Sequence, residues 1–413
     1  MRYNLGYMDK YPIEAAGSTV ENNPMLRVFF RRPIDPVRLE SAVLSAFKTY
    51  PLFGTSVEFD HEYYLRTNER PLVILHCTEE DRPRTFGKSN NGYPWRFCYD
   101  GNKLVFEWLH GVSDGMGAMS FLRQVLMIYF EHPVEEKSVN FTVAPGLEPF
   151  FDAKEKGQDF KIEPNGFSIK DFPRIKRGYK TDCHLLRGDT KEIVALAKVC
   201  GSSVAPVIAV LFSQALRMHL PEKAKNRNVA CNIVLDLRRS LHYETMHNCV
   251  EYKRITYVDE YDKMNFRSVA QEYKRILDHA RLTPNVVRTV TERVKTFKMY
   301  HILGKKWFLK FCIRMIGLFM KHTDCNFVLT YLGAIDLPRD VKDQLLDIDL
   351  KAWHDFGECI MCALDYDGKF NLNVSENFAE KGVVEDFIRL SAEVGIHWEE
   401  TECSVFEQCA FEE

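Results

Sequence analysis

The sequence has almost no excess of charge of one sign. Its 413 residues contain 55 Lys and Arg against 58 Asp and Glu, which leaves a formal net charge of −3. Proteins that bind nucleic acid present a strongly basic face, so no nucleic-acid partner is expected. Tandem repeats and low-complexity tracts are also missing, and 46% of the residues are hydrophobic. That composition is typical of a folded globular protein and argues against long disordered segments.

Long hydrophobic runs are missing as well. The most apolar stretch, Trp307 to Met320, is interrupted by Lys310 and Arg314, and it is too short to cross a bilayer core of about 30 Å. The opening segment, Met1 to Gly17, contains acidic residues and a proline where a signal peptide needs an unbroken apolar run. The sequence therefore predicts a cytoplasmic protein without a transmembrane segment.

The cysteine pattern gives little support for disulfides or for a metal site. The 12 cysteines are scattered, and several, such as Cys98, Cys200 and Cys231, stand among apolar residues, where a reduced thiol packs as a small hydrophobic group. One CxxC occurs, from Cys359 to Cys362, but it lies in a predicted strand and no second CxxC completes a zinc site. We expect reduced thiols, in keeping with the cytosol, and no metal.

The length of the chain predicts two lobes. A chain of 413 residues is too long for one ordinary hydrophobic core. Residues Asp152 to Asp182 are polar, lysine-rich and without sustained periodicity, so the crossover between the lobes is placed there. The predicted lobes are residues 1–175 and residues 176–413.

Helical and strand patterns follow one another in both lobes. In the first lobe, Asp35 and Pro36 begin a helix that Pro51 ends, and two strands flank the turn from Asp100 to Asn102. The second of these strands leads directly to His110, and a helical pattern comes after it. The second lobe contains predicted helices, buried strands and a late hairpin. These are Thr190 to Val199, the helix after Ser203, Val229 to Leu235, Phe327 to Leu332, and the hairpin around Asp367 and Gly368. The order predicts a mixed α/β protein with antiparallel hairpins.

The segment with the clearest chemistry is His110 to Gly115, which has the pattern HxxxDG. An imidazole, with an ordinary pKa of about 6.5, can take up a proton and return it at neutral pH. A carboxylate four residues later, on a turn that contains glycines, can fold back to bind an arginine or the turn itself. The segment therefore predicts a histidine base, His110, on a strand-to-helix turn braced by Asp114.

This segment resembles the HxxxD(G) motif of CoA-dependent acyltransferases in the chloramphenicol-acetyltransferase-like and condensation-domain superfamily. Three further segments resemble that superfamily in the expected order. Asn23 to Val57 is similar to its opening strand, helix and turn, and Cys231 to Arg239 is similar to its N-x-x-x-D-x-R strand. Thr330 to Gly333 is similar to its S/T-N-x-G strand, with Tyr331 in place of the usual Asn. The resemblance spans most of the chain, and it is strongest to the bacterial alcohol acetyltransferases.

The resemblance implies a two-lobed α/β fold, in which each lobe is a mixed sheet with packed helices and a tunnel between the lobes has His110 at its middle. It implies an acyltransferase that moves an acyl group such as acetyl from CoA to a hydroxyl or amine of a small acceptor. Acyl-CoA is then a co-substrate, and no cofactor is permanently bound. His110 is the general base in this interpretation.

Other residues receive roles from the same resemblance. Asp114 is structural and is held by an arginine such as Arg238 or Arg239. Gly115 lets the turn close, and Thr330 is the candidate donor that stabilises the oxyanion of the tetrahedral intermediate.

Alternative functions remain open at this stage. The donor could instead be bound to an acyl carrier protein, as in condensation domains, although Leu109 stands where those domains often have a second histidine. A catalytically silent binding or scaffold protein is suggested by Tyr331 and by the Asp355 to Gly357 triplet, because Trp and Gly do not follow that triplet as they do in plant enzymes. Ser113 lacks the G-x-S-x-G context of a nucleophile. Residues Gly115 to Ser120 are one residue short of a dinucleotide-binding fingerprint.

A run of basic residues between 305 and 321 is interleaved with aromatic residues. Its members are Lys305, Lys306, Lys310, Arg314 and Lys321. The simplest interpretation is the solvated face of an amphipathic helix. The run could also dock CoA phosphates, an acidic carrier protein or anionic lipid, which leaves peripheral membrane contact open. We expect a monomer, since the two-lobed fold completes its own site.

Overall fold

The computed structural model of the chain describes residues 1–6, 9–10, 13, 23–78, 90–134, 147, 180–220, 228–302, 325–352, 359–378 and 381–407. Three predictions fall on other residues and lie outside the described part of the chain. They are the lobe boundary at 175/176, the basic run from 305 to 321, and the Asp355 to Gly357 triplet.

The described residues form three sheets. Their strands, in chain order, are β1 (Arg2–Asn4), β2 (Met25–Phe30), β3 (Thr55–Asp60), β4 (Glu62–Thr67), β5 (Ile74–His76), β6 (Trp95–Asp100), β7 (Lys103–Trp108), β8 (Lys180–Asp189), β9 (Val229–Asp236), β10 (Val250–Tyr257), β11 (Phe327–Ala334), β12 (Leu345–Lys351), β13 (Cys359–Tyr366), β14 (Lys369–Glu376) and β15 (Glu399–Glu407). β1, β4 and β3 make a small antiparallel sheet.

The longer helices lie between these strands. They are α1 (Pro36–Ala46), α2 (Gly115–Tyr129), α3 (Thr190–Val199), α4 (Val204–Met218), α5 (Phe266–Ala280), α6 (Thr283–Ile302) and α7 (Val383–Glu393). No described helix is by itself long and apolar enough to cross a membrane, although α3 and α4 reach the required length and composition together across a 90° bend.

A five-stranded sheet carries the HxxxDG segment. Its order is β12-β2-β7-β6-β5, and every pair is antiparallel except β5 with β6. The predicted hairpin is confirmed as β6 and β7, and Gly101 turns the chain with a φ of 57°. The edge strand β12 comes from far along the chain and places Ile348 opposite Val28. A strand of the predicted second lobe therefore completes the sheet of the first.

A seven-stranded sheet forms the second lobe, in the order β10-β9-β11-β13-β14-β8-β15. β11 runs parallel to both of its neighbours, whereas the other pairs are antiparallel. The predicted late hairpin is confirmed as β13 and β14, and Asp367 and Gly368 have φ values of 49° and 82° at its turn. This sheet is mixed, as the sequence predicts.

Each large sheet has its own hydrophobic core. In the first lobe α1 forms as predicted because the Asp35 carboxylate accepts hydrogen bonds from two first-turn N–H groups. Phe121 of α2 stacks on Phe53 with ring centroids 4.0 Å apart. In the second lobe Phe212 of α4 packs against Phe327 and Phe387, at centroid distances of 4.9 and 5.7 Å. These helices cover the outer faces of the two sheets.

The inner faces of the two sheets meet through charged and polar side chains. Arg27 of β2 donates to Asp349 of β12 at 2.8 Å and to Glu402 of β15 at 2.8 Å. Asn373 of β14 donates to Asp349 at 3.2 Å. The contacts join the five-stranded sheet to the seven-stranded sheet.

One cysteine prediction is wrong. Cys98, predicted to be a reduced core thiol, forms a disulfide with Cys77. Parallel pairing of β5 with β6 places Leu75 opposite Cys98 and brings the end of β5 close enough for a Cα separation of 5.6 Å between the two cysteines. Cys200 and Cys231 are buried in the core, as predicted.

Candidate active site

His110 lies between two elements that the sequence places correctly. Strand β7 ends at Trp108, helix α2 begins at Gly115, and residues 109–114 between them are called the base loop below. A turn closes this loop, because the Val112 N–H donates to the Leu109 carbonyl at 2.9 Å. The Trp108 indole N–H donates to the Ser113 carbonyl at 3.0 Å. The loop therefore has a fixed backbone, and His110 on it is half-buried.

Asp114 is buried and is the N-cap of α2. One carboxylate oxygen accepts the Gly117 N–H at 3.0 Å, and the other accepts the Cys249 N–H at 2.9 Å. Arg238 lies 2.9 Å from the same carboxylate, so Arg238 is the arginine that the resemblance implied. The Gly117 N–H is one of the donors that a helix start leaves without a backbone partner. Both carboxylate oxygens of Asp114 bind groups other than the histidine, so Asp114 fixes the loop against the second lobe.

Arg238 connects Asp114 to the loop that precedes β10. Its guanidinium donates to Asp236 at 2.8 Å, to the Thr245 carbonyl at 3.0 Å and to the His247 carbonyl at 3.1 Å. Burial alone lowers the pKa of Arg238, but the carboxylates of Asp114 and Asp236 outweigh burial and raise it. Arg238 is therefore a permanent positive charge with fixed geometry.

Asn248 holds the backbone of His110 itself. Its side-chain amide donates to the His110 carbonyl at 2.7 Å and to Asp9 at 2.8 Å, and its backbone N–H also donates to Asp9 at 3.1 Å. Asp9 lies 3.0 Å from the buried ring of His247. Neighbouring residues 248 and 249 therefore hydrogen-bond to the two ends of the base loop, at the His110 carbonyl and the Asp114 carboxylate. Sequence reasoning missed Asn248 and Asp9, since no local pattern marks a side chain whose partner is a distant carbonyl.

Two glycines of this region are required by close packing. A Cβ on Gly111 would lie 2.6 Å from the Asp9 carbonyl oxygen, and one on Gly117 would lie 2.7 Å from the Met246 carbonyl oxygen. At Gly115 the nearest atom would be the tip of the Leu332 side chain, at 2.8 Å. Gly115 therefore leaves room for a residue of β11, and it adopts ordinary helical geometry as the first residue of α2.

Only one face of β11 is turned toward the start of α2. Leu332 packs against Gly115 and the first core, whereas the ring of Tyr331 packs on Phe370 in the second core at 5.3 Å. Thr330 is paired with Cys362 of β13, which belongs to the first core, so it shares the face of Leu332. Burial raises the pKa of Tyr331 to about 12. The unusual residue at 331 therefore points into the second core, and the predicted oxyanion donor Thr330, which is half-buried, lies on the opposite face of β11.

The competing interpretations of this region find no support in the geometry. Ser113 is buried, and its hydroxyl donates to the Met246 carbonyl at 2.6 Å, which leaves it unavailable as a nucleophile. The glycines at 115 and 117 lie inside the first turn of α2 rather than before it. Cys359 and Cys362 are buried core residues of β13, and burial raises the pKa of Cys362 to about 12.

Comparison with known proteins identifies the fold. No protein-family model matches the chain, and no curated protein matches it in sequence. Solved structures do match. Trichothecene 15-O-acetyltransferase TRI3 of Fusarium sporotrichioides is 11% identical, with a TM-score of 0.62 over 95% of this chain and 94% of that one. TRI101 of the same fungus, solved with coenzyme A and T-2, is 11% identical, with a TM-score of 0.59 over 96% and 99% of the two chains.

A third match comes from a different class of protein. The condensation domain of the Monacolin K polyketide synthase MokA is 9% identical, with a TM-score of 0.59 over 95% of this chain and 96% of that one. The chain therefore has the two-lobed α/β fold shared by chloramphenicol-acetyltransferase-like acyltransferases and condensation domains. This confirms the fold that the sequence predicts.

Proposed function

We propose that this protein is an acyltransferase that moves an acyl group, with acetyl as the first candidate, from a CoA thioester to a hydroxyl or amine of a small acceptor. The observation that carries the proposal is the state of His110. Its backbone is held by Asn248 and its loop by Asp114, whereas its ring has no hydrogen-bond partner among the described residues. A general base needs a fixed backbone and a ring that is free to reach the substrate.

The reaction follows from these positions. His110 takes the proton of the acceptor hydroxyl or amine as the acceptor attacks the thioester carbonyl, forming the new C–O or C–N bond. The tetrahedral intermediate then breaks its C–S bond, and the sulfur leaves as a thiolate that can take the proton back from the imidazolium. Because a thiol has a pKa of about 8.5, the leaving group needs little help, and one histidine serves the whole reaction.

Thr330 is proposed to donate to the oxyanion of this intermediate. Its side chain shares the face of β11 that meets the start of α2, and a donor there acts in a partly buried setting where electrostatic stabilisation is strong. Thr330→Val keeps the shape of the side chain and removes the hydroxyl. It should lower kcat by up to about 100-fold with little change in KM for the donor.

Replacement of the base tests the function directly. We expect His110→Ala to lower thiol release from acetyl-CoA, in the presence of an alcohol or amine acceptor, by about 100- to 10,000-fold, while circular dichroism remains unchanged. His132→Ala is the matched control, because His132 is also partly buried but bonds to Asp340 at 2.7 Å on the surface. Full activity in His110→Ala would overturn the proposal.

The donor is decided by a second measurement. The same assay with an acyl group on a carrier protein's pantetheine arm distinguishes a condensation-type reaction from one that uses free CoA. Binding of CoA or acceptor without thiol release, over a broad set of acceptors, would instead identify a silent scaffold of the same fold.

A further inference from the structure

A group of metal-ligating side chains lies on the seven-stranded sheet, remote in sequence from the base loop. His184 of β8 is directly opposite Cys403 of β15, and Glu400 lies beside them at the start of β15. Their ligand atoms all lie within 4.8 Å of one another. In the part of the chain that the structure describes, this is the one set of three His, Cys, Asp or Glu side chains that converge so closely.

The cluster lies on the outer, helix-covered face of the sheet. Leu186 and Val374, which share a face with His184, belong to the hydrophobic core beneath the helices. Glu402, the neighbour of Cys403, points to the opposite face, where it binds Arg27 between the two sheets. The cluster is therefore separated by the sheet from the face that joins the lobes, and it has no part in the proposed acyl transfer.

The histidine of the cluster is placed between two carboxylates. Its Nδ1 lies 2.6 Å from Glu400, and its Nε2 lies 3.9 Å from the Oε1 of Glu376 on β14. Glu376 is only 3% exposed, and its Oε2 has no hydrogen-bond partner among the described residues. A buried, incompletely paired carboxyl group behind a histidine is the arrangement that orients an imidazole for metal binding.

We propose that His184, Glu400 and Cys403 bind a divalent cation of intermediate softness, best matched by Zn²⁺, and that Glu376 orients His184 from behind. Imidazole nitrogen, thiolate sulfur and carboxylate oxygen are the zinc ligands in proteins, and water can complete the tetrahedron. On binding, the ring proton of His184 is held on Nε2, beside Glu376, and any second ring proton goes to solvent, so that Nδ1 and Glu400 exchange their hydrogen bond for two metal bonds. The Cys403 thiol also gives its proton to solvent. A carboxylate on the second ring nitrogen is the usual support of a metal-bound histidine.

The bound ion would join the edge strand β15 to β8. Because β15 also carries Glu402, which binds Arg27 on the inner face, fixing this strand supports one of the anchors between the two sheets. The expected result is an increase in Tm when Zn²⁺ is added to the metal-free protein, since an ion that binds only the folded chain stabilises it.

Cobalt substitution tests the site without any measurement of activity. With the full metal-free chain and its Cys77–Cys98 disulfide intact, Co²⁺ should give the absorption of a thiolate-to-cobalt charge transfer and of a tetrahedral ion, at one ion per chain, and Zn²⁺ should displace it. Cys403→Ser should abolish the thiolate band, and His184→Ala should weaken binding strongly. Cys325→Ser and His219→Ala are the controls, because Cys325 is a partly buried thiol elsewhere and His219 pairs with Asp386 at 2.8 Å outside the cluster.

The role of Glu376 has its own test. Glu376→Gln keeps all three ligands and should weaken Co²⁺ affinity by about 10- to 100-fold. The proposal is overturned if the native chain gives no thiolate–cobalt band, or if Cys403→Ser retains it. An unchanged affinity in Glu376→Gln would remove Glu376 from the site. None of these outcomes depends on the proposed acyltransferase reaction.

Discussion

Two buried aspartates bind arginine where the lobes meet, yet their surroundings differ. Asp114 and Asp349 are 1% and 0% exposed. Asp114 accepts two backbone N–H groups in addition to Arg238. Asp349 receives Arg27 and Asn373 on one oxygen, while its second oxygen has no hydrogen-bond partner among the described residues. Burial accordingly raises the pKa of Asp349 in spite of Arg27.

The difference follows from where each carboxylate stands. Asp114 is at a helix start and faces the loop before β10, and both places offer backbone N–H groups that no secondary structure uses. Asp349 is inside a sheet, where the backbone donors are committed to strand pairing, so only side chains can serve it. A carboxylate placed beside the base loop is therefore held more completely than one in the sheet contact.

The largest effect is expected for Asp114→Asn. The amide has the shape of the carboxylate, but it presents N–H groups to the Cys249 N–H or to Arg238. A backbone donor then loses its acceptor, and the buried Arg238 keeps only Asp236 of its two carboxylates. Breaking a buried pair in this way costs about 3–5 kcal/mol of unfolding free energy. Urea unfolding of the native chain and the variant measures this loss of free energy.

Asp349→Asn is the matched substitution in the sheet contact. It should cost clearly less than Asp114→Asn, because Asp349 is incompletely satisfied already and accepts only from side chains, so no backbone N–H group loses its acceptor. Equal losses of unfolding free energy in the two variants would show that the hydrogen bonds from backbone N–H groups to Asp114 do not add to stability.

A pH series extends the comparison to Glu376, the other incompletely paired carboxylate. Its pKa is raised from 4.5 to about 8 by burial, against the opposing charge of Lys381 and with help from Asp182. Between these two values the folded chain holds a proton that the unfolded chain has lost. Stability from this group is therefore complete below pH 4.5 and is lost as the pH rises to about 8, by up to about 1.4 kcal/mol per pH unit.

Glu376→Gln removes that titration. In metal-free buffer with a chelator, the variant should match the native chain near pH 4.5 and become the more stable of the two as the pH approaches 8. Denaturant midpoints of both proteins, measured between pH 4.5 and about 8, compare their stabilities. Parallel curves for the two proteins would mean that Glu376 finds a partner in the folded chain.

Local patterns account for what the sequence predicts correctly. The helix from Pro36 is set by its own cap, and the strand-to-helix turn at His110 is set by the residues on either side of it. The general fold followed because four such segments resemble one superfamily in order. Each of these signals depends on residues that are close together in the chain.

Contacts between distant segments account for what it does not predict. The Cys77–Cys98 disulfide depends on the parallel pairing of β5 and β6. His184 and Glu400 meet across 216 positions because β8 and β15 pair. The hydrogen bond from Asn248 to the His110 carbonyl likewise joins residues 138 positions apart. No periodicity or motif encodes such a partner, so sequence reasoning named His110 and its brace Asp114 but missed Asn248 and Asp9.

The smallest effect is expected for Asn248→Ala. This variant tests whether the hydrogen bond from Asn248 to the His110 carbonyl matters for the reaction. The variant removes the donor to the His110 carbonyl but leaves Asp114, Arg238 and the Cys249 N–H in place. The base loop should persist with a slightly displaced histidine, which lowers kcat about tenfold and changes the KM for the acyl donor little. Asn265→Ala, which removes the cap of α5 elsewhere in the second lobe, is the control for a purely structural asparagine. A fall in stability without a selective loss of kcat would assign Asn248 to folding alone, whereas a selective loss of kcat would show that the second lobe positions the base of the first.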